Sequence, residues 1–307
     1  MSELFRTKDA GFYDLAVAYR IYPGISKGAP TLPFGDNKLR QAEICLRSFR
    51  KALGSLRAKV WAILDGCPIQ YRELFQRYFA PSDLALVELK NVGNKATFGK
   101  QLDILLAQDD AEFVYFAEDD YLYLPDSLSL LVEFLRHGEQ VDFVTPYDHP
   151  YCYQVDLHRE PKWVRVFGEH HWRTASSTCL TFLTRKSTLA KYERTLRTYC
   201  RKNDDCAMWL SLTKRRVFDP VAMLRYFALR EFYRNIPVKA WVYCWPQILF
   251  GRAAKLWLPI PAFATHLCSG LLSPGNDWVG LMRREAERQA IWETNASAET
   301  QGRYRSK

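Results

Sequence analysis

Strands and helices alternate along the first half of this 307-residue chain, and this order restricts the fold more than any other feature. Extended apolar runs are predicted at 13–22, 58–64, 84–89 and 112–117. The segments between these runs carry apolar residues at helical spacing. Strands that alternate with helices are joined by right-handed crossovers and form a sheet with helices on both faces. The sequence therefore predicts a doubly wound α/β fold with a mostly parallel sheet.

Acidic residues follow the fourth predicted strand, at the end where ligands collect in open α/β sheets. Three adjacent carboxylates, Glu118, Asp119 and Asp120, repel one another there, and a hard divalent cation would relieve that repulsion. An acidic turn before a helix is the alternative interpretation. A second acidic pair, Asp204 and Asp205, is either a general base with its neighbour or the start of a helix.

The basic charge of the chain favours an anionic partner. Lys and Arg number 43 against 34 Asp and Glu, a formal net charge of +9. Nucleic acid, an anionic membrane or phosphorylated small molecules would all suit this excess. The segment Arg225–Lys255 mixes basic and aromatic residues, which is typical of a membrane surface, a nucleic-acid surface or a core helix pair. No nucleic-acid-binding module is recognisable, so we expect peripheral membrane contact and no nucleic acid.

The remaining composition bears on the cellular compartment. The eight Cys form no Cys-x-x-Cys pair and no finger-like Cys/His cluster, which disfavours a zinc site. The first nine residues are polar and do not resemble a secretory signal. The longest apolar stretch, Val238–Leu267, is interrupted by charged residues and prolines, so no membrane span is predicted. We expect a cytoplasmic protein, with peripheral contact on the cytoplasmic face of the membrane.

Five segments together resemble GT-A glycosyltransferases, in particular the family 2-like group. FVYFAEDDYLYLPDSL resembles their DXD-type segment, and VWAILDGCP is similar to their second strand. NVGNKATFGKQLD resembles the turn and helix beside the donor nucleotide, and NDDCAMW the segment with the catalytic base. LWLPIPAFATHLCSGLLSPGNDW resembles the C-terminal block that carries a metal- or diphosphate-facing histidine. The segments follow in the family's order across residues 13–280.

The resemblance implies a role for each matching residue. On the donor side it implies that Asp65 contacts the nucleobase, that Glu118 faces the ribose and that Asp119 contributes to either neighbouring role. It further implies that Lys95 lies beside the diphosphate. Metal binding falls to Asp120 and His266, although a lone His is as often a structural residue. Asp205 is favoured as the base, with Asp204 positioning the acceptor or capping a helix; the reverse assignment stays open.

The function implied by the resemblance is metal-dependent, inverting transfer of a sugar. The donor would be a nucleotide diphosphate sugar, the acceptor a glycan or lipid-linked hydroxyl, and the cofactor Mn²⁺ or Mg²⁺. We expect residues 1–218 to form the GT-A-like domain and 219–307 a basic, helical extension packed on it, with a site-closing loop near 256–278. A sugar-1-phosphate nucleotidyltransferase is an alternative. Such an enzyme should have a glycine-rich phosphate loop after the first strand, and the segment Gly24–Gly28 contains too few glycines for one. A non-catalytic membrane or nucleic-acid binding protein would leave both acidic clusters without a role.

Overall fold

The computed structural model describes residues 13–24, 37–158, 160–219 and 231–288. Most of the Gly24–Gly28 segment and the first part of Arg225–Lys255 lie outside the described residues. The strands are β1 Leu15–Ile21, β2 Ala58–Asp65, β3 Leu84–Leu89, β4 Phe113–Glu118, β5 Tyr121–Tyr123, β6 Phe143–Val144, β7 Val164–Phe167, β8 His170–Ala175, β9 Phe182–Arg185, β10 Leu256–Ile260 and β11 Ala264–His266. The α-helices are α1 Lys38–Ala52, α2 Ile69–Tyr78, α3 Asn94–Ala107, α4 Ser127–His137, α5 Tyr151–Gln154, α6 Lys186–Leu196, α7 Asp205–Thr213 and α8 Glu231–Phe250. A last described helix spans 278–288.

Nine of these strands form one sheet, in the order β3-β2-β1-β4-β9-β6-β10-β8-β7. β1 pairs in parallel with β2 and β4, and β2 in parallel with β3. β9 is antiparallel to β4 and β6, and β8 is antiparallel to β10 and β7. Because β6 and β10 are parallel, only β8 and β9 run against the other seven strands of the sheet. The predicted α/β fold with a mostly parallel sheet flanked by helices is confirmed.

The two faces of the sheet bury separate cores. Along β1, Leu15, Val17 and Tyr19 belong to the core that α1, α2 and α4 cover. The intervening Ala16 and Ala18 belong to the core on the opposite face, beneath α3, α6 and α7. Since side chains alternate along a strand, a strand that is buried on both sides is mostly apolar, and Arg20 is the exception in β1, where it pairs with Glu118. All seven of its residues are buried, which explains the near-continuous apolar run.

The C-terminal part of the chain contributes both a helix and strands to this fold. α8 packs against α7, as a helical extension should. However, β10 enters the main sheet between β6 and β8, and β11 pairs with β5 in a small second sheet. The helical extension predicted from 219 onwards therefore also supplies strands. Their short apolar runs are difficult to distinguish from buried helix by periodicity alone. Within the described part of the chain, no helix has the length and apolar character needed to cross a membrane.

The parallel strands determine where the predicted site residues meet. β1, β2 and β4 end at Ile21, Asp65 and Glu118, and in a parallel sheet these carboxyl ends share one edge. The short β5–β11 sheet places His266 opposite Tyr121, directly after the acidic triplet. Residues that are far apart in the sequence are therefore neighbours at this edge.

Candidate active site

A cleft of about 670 Å³ lies at the carboxyl edge of the sheet, and we call it the main cleft. Its walls come from the ends of β1, β2 and β4, the first turns of α1 and α3, the start of α7 and the segment 266–268. Six of the eight residues predicted for the site line it: Asp65, Glu118, Asp119, Asp120, Asp205 and His266. The fold thus gathers these residues into one cavity, whereas Asp204 and Lys95 lie outside its lining.

Glu118 is held by a buried arginine from β1. The Nη2 group of Arg20 donates to Glu118 Oε1, and the Thr181 hydroxyl donates to Oε2 at 2.8 Å. Arg20 also donates to the carbonyl oxygen of Asn94 at 3.0 Å, at the start of α3. The guanidinium therefore links the ends of β1 and β4 to α3, and among the described residues it is one of two Lys or Arg side chains in the cleft wall.

Asp119 pairs with the first residue of α1. Lys38 Nζ lies 2.9 Å from Asp119 Oδ2, and only 11% of the lysine side chain is exposed. Burial lowers the pKa of Lys38, but the charges of Asp119 and Asp120 and the hydrogen bond to Asp119 together outweigh burial and raise that pKa above its usual range, so the ammonium stays charged. A lysine in the first turn opposes the helix dipole. That unfavourable placement is the sequence signal by which Lys38, which the sequence analysis missed, could have been found.

Asp120 pairs with His266 across the small sheet. Asp120 Oδ2 and His266 Nε2 are 2.9 Å apart. Burial alone would raise the pKa of Asp120, but the attraction of His266 lowers it to about 2. Burial lowers the pKa of His266, but Asp120 raises it, and the net change is an increase. This favours the protonated imidazole, which forms an ion pair with Asp120. Mutual repulsion of three acids predicted a metal here, whereas the fold gives each acid its own basic partner.

Asp120 and His266 each keep one polar atom that is not used in their mutual contact. Asp120 Oδ1 and His266 Nδ1 are buried polar atoms without a hydrogen-bond partner among the described residues. No group of three or more His, Cys, Asp and Glu side chains in the described ranges is arranged to hold a metal alone. Mg²⁺ is usually bound by one or two carboxylates together with substrate phosphates, not by a full protein cage. The donor set therefore suits a cation whose other ligands come from a bound phosphate and water.

Asp65 stabilises the turn that leads into α3. Its side chain is 2% exposed, and its two oxygens accept from the backbone N–H groups of Val92 at 2.8 Å and Gly93 at 2.9 Å. Gly93 has φ +85°, a conformation that favours glycine. Asp65 still lines the main cleft, and each oxygen retains a second lone pair. Its predicted contact with a nucleobase stays a prediction.

The two acids at the start of α7 point in different directions. Asp205 faces the main cleft, and its Oδ1 accepts from the N–H of Cys206 at 2.7 Å. Burial raises the pKa of Asp205 to about 6, against the lowering effect of that hydrogen bond. Asp204 instead pairs with Lys239 of α8, with 2.8 Å between Oδ2 and Nζ. Only Asp205 is therefore placed to exchange a proton with a ligand in the cleft.

Lys95 extends away from the main cleft. Its Nζ donates to the carbonyl oxygen of Asn203 at 3.2 Å and lies 5.4 Å from the ring centre of Tyr199. The second position of α3 faces the loop before α7, so the ammonium does not reach the cleft lining. Arg20 and Lys38 hold the positive charge there instead, and the resemblance pointed to neither.

Comparisons with known proteins found structural likeness only. No family model and no curated protein matches the chain. TarS of S. aureus is 13% identical, with 74% of this chain and 70% of that chain covered and a TM-score of 0.39. The mannosyltransferase PcManGT of Pyrobaculum calidifontis, solved with GDP-Man and Mn²⁺, is 18% identical over 43% of this chain and 35% of its own, with a TM-score of 0.32. The 4-diphosphocytidyl-2C-methyl-D-erythritol synthase of Anaerococcus prevotii is 10% identical, with 66% of this chain and 83% of that chain covered and a TM-score of 0.39. Likeness at this level carries no argument about activity.

Proposed function

We propose that this protein is a metal-dependent glycosyltransferase that moves a sugar from a nucleotide diphosphate donor to a hydroxyl acceptor. The observation that carries the proposal is the convergence of separate segments in one cleft. Asp65, the triplet 118–120, Asp205 and His266 all line it, although they span 200 residues of sequence. The resemblance implies a donor, metal or base role for each of these positions.

Arg20 and Lys38 are proposed to bind the diphosphate. Both are cations in the cleft wall, and both are nearly buried by their acidic partners. A nearly buried cation acts across a lower effective dielectric than an exposed one, although the paired carboxylate offsets part of its attraction for phosphate. Because their partners already hold them in place, little side-chain entropy is lost when the donor binds.

Asp120 and His266 are the proposed holders of Mn²⁺ or Mg²⁺. A cation bound there would supply charge neutralisation for the diphosphate as it leaves the sugar. Ion pairing of the two residues means that His266 must lose its proton before it can act as a ligand. Which of the two metals is used is left to experiment.

Asp205 is the proposed general base. In the reaction, the acceptor oxygen forms a bond to the anomeric carbon while the bond from that carbon to the diphosphate oxygen breaks. The acceptor proton passes to the Asp205 carboxylate, and the bonding electron pair leaves with the diphosphate. A base with a pKa of about 6 is largely ionised at neutral pH and still has proton affinity. Attack opposite to the leaving group inverts the anomeric carbon.

The proposal can be tested by measuring binding and turnover separately. Calorimetry with a panel of nucleoside diphosphates, with and without Mn²⁺ or Mg²⁺, should identify one that binds more tightly with metal. The matching nucleotide sugars are then assayed for release of the diphosphate with mixed glycan acceptors. If no nucleoside diphosphate binds under any metal condition, the proposal is wrong. Metal-dependent binding of a nucleoside triphosphate and a sugar 1-phosphate would favour nucleotidyl transfer.

Peripheral membrane contact is proposed separately, on the exposed face of α8. The helix is kinked at Cys244; Val238 and Val242 lie one turn apart before the kink, Trp245 and Leu249 one turn apart after it, and the four residues are 39–62% exposed. Phe250 is 80% exposed, and its ring lies 6.4 Å from that of Trp245. An apolar stripe with an aromatic pair on a basic protein suits the interface of an anionic membrane.

Vesicle sedimentation tests the membrane proposal. The wild type should bind anionic vesicles more than neutral ones, and less as salt is raised, because exposed charges are screened over about 10 Å at 0.1 M. Trp245→Ser should weaken binding. Ile69→Ser removes an equally exposed apolar side chain from α2 and serves as the matched control. Equal effects of the two substitutions would exclude α8 as the contact surface.

A further inference from the structure

A second cavity of about 690 Å³ lies apart from the main cleft. Its walls are the segment 148–154 after β6, the end of β10 at Ile260 and Pro261, and the segment 270–275. It shares no lining residue with the main cleft. The volume is within the range of about 300–1,000 Å³ that is typical of pockets for small ligands.

Both cavities open at the same edge of the sheet. β6 and β10 are parallel and point the same way as β1 and β4, so the residues after Val144 and Ile260 lie at the carboxyl edge. The chain from 266 to 275 separates the two cavities. Leu267 and Cys268 line the main cleft, whereas Gly270 and Leu272 line the second cavity. A ligand that extends across this segment would reach both.

The separating segment is held in place by hydrogen bonds. The Tyr147 hydroxyl donates to the carbonyl oxygen of Leu271 at 2.6 Å. The N–H of Ser273 donates to Thr265 Oγ1, and Trp278 Nε1 donates to the carbonyl oxygen of Ser273, both at 2.9 Å. Ser273 is 3% exposed. The wall of the second cavity is therefore formed before any ligand binds, which reduces the entropy cost of binding.

The chemistry of the lining points to an uncharged ligand. Asp148 is the acidic residue in the wall, and it is ion-paired with the buried Arg173. Its other oxygen accepts from the Tyr153 hydroxyl at 2.5 Å. The remaining lining consists of Pro, Gly, aliphatic residues, the half-exposed Tyr153 ring and the exposed amide of Gln154. The described part of this lining thus offers apolar faces and hydrogen bonds, and its one charged group is already ion-paired.

We infer that the second cavity binds a neutral glycan, as the part of the acceptor that is remote from the reacting hydroxyl. A sugar ring presents an apolar C–H face to Tyr153 and hydroxyl groups to Gln154, which matches the mixed lining. The assignment to the acceptor rests on the proposed function, whereas glycan binding itself does not. Binding energy gained by remote sugars helps to position the reacting hydroxyl near Asp205.

The test uses an array of neutral, sulfated and phosphorylated oligosaccharides with the full-length protein. The wild type should retain neutral glycans preferentially. Tyr153→Ala should weaken that retention at least about tenfold, as truncation of a central aromatic contact commonly does. Tyr153→Phe is the matched control, because it keeps the ring and removes the hydroxyl bonded to Asp148; we expect a change of less than about twofold. Thermal melting of both variants checks that they are folded.

Four outcomes separate this inference from the proposed function. Loss of glycan retention in Tyr153→Ala with unchanged nucleoside diphosphate binding supports the inference. Equal retention by wild type and Tyr153→Ala places the glycan elsewhere and overturns it. Retention of anionic glycans only, or of an acyl-chain probe instead of glycans, also overturns it. Neutral glycan retention that depends on Tyr153, in a protein that binds no nucleoside diphosphate, supports the cavity while contradicting the proposed glycosyl transfer.

Discussion

Replacement of Asp205 by asparagine should slow the reaction and stabilise the fold at the same time. The carboxyl of Asp205 lies in the cleft wall, and burial raises its pKa from the usual 3.8 to about 6. Each pKa unit corresponds to about 1.36 kcal/mol. Holding this carboxylate ionised in the folded state at pH 8 therefore costs up to about 3 kcal/mol. Asparagine avoids that cost, and its amide oxygen can still accept from the N–H of Cys206.

The sign of the effect determines its dependence on pH. Because the pKa is higher in the folded protein than in the unfolded chain, folding takes up a proton between pH 4 and pH 6. Below that window the carboxyl is neutral in both states, and wild type and variant differ little. As the pH rises through the window the wild type loses stability relative to the variant, and above pH 6 the difference is constant. The stability gain of Asp205→Asn should thus be largest at pH 7–8 and nearly absent near pH 4.

Urea unfolding at pH 4, 6 and 8 measures the stability difference, and steady-state kinetics measure the catalytic one. Turnover of the variant should fall by roughly 10²–10⁴, the usual contribution of a general base, with donor affinity close to wild type. Wild-type turnover should rise with pH through about 6. Asp204→Asn is the matched control: its side chain is 36% exposed and paired with Lys239, so neither effect is expected.

Two results would refute this reasoning. A variant that is no more stable at pH 8 than the wild type would show that the carboxylate is not buried in its ionised form. A variant that is stabilised but retains most of its activity would show that another group takes the acceptor proton. If Asp204→Asn loses activity instead, the roles of the two acids are reversed.

Three further predictions concern the ion pairs. Asp120→Asn should remove the dependence of nucleoside diphosphate binding on Mn²⁺ or Mg²⁺; calorimetry that still shows full metal dependence would rule out Asp120 as a ligand. Lys38→Met should weaken nucleoside diphosphate binding about tenfold even without metal, because it removes a nearly buried cation; unchanged affinity would mean that the diphosphate lies elsewhere. Arg173→Met should lower the free energy of unfolding by about 3–5 kcal/mol, since it leaves Asp148 buried and unpaired; urea unfolding with a loss below 1 kcal/mol would indicate that water reaches the carboxylate.

The local sequence pattern was sufficient to predict the strands whose ends lie at the main cleft. The predicted strands at 58–64 and 84–89 match β2 and β3, and the fourth run became β4. A strand that is buried on both faces is a nearly continuous apolar run. Such a strand can therefore be predicted from its own few residues. The acidic triplet was recognisable for a similar reason, because three carboxylates after such a strand are conspicuous whatever surrounds them. Their place at the carboxyl edge followed from the strand that precedes them.

The partners of those residues were decided by the tertiary structure alone. Lys38 meets Asp119 because α1 packs against β5, the short strand that directly follows the acidic triplet, and this packing joins segments that are distant in the sequence. β10 lies between β6 and β8 in the sheet, although it is more than eighty residues away from either in the sequence. The pattern of its own five residues could not indicate these neighbours. Which of Asp204 and Asp205 lines the main cleft depends on how α7 starts, since Asp204 is the extended residue before the helix and Asp205 is its first helical residue. Residue types and local spacing thus determined which chemistry the chain can carry, and the packing of distant segments decided which side chains act together, because charge pairing and burial depend on neighbours in space.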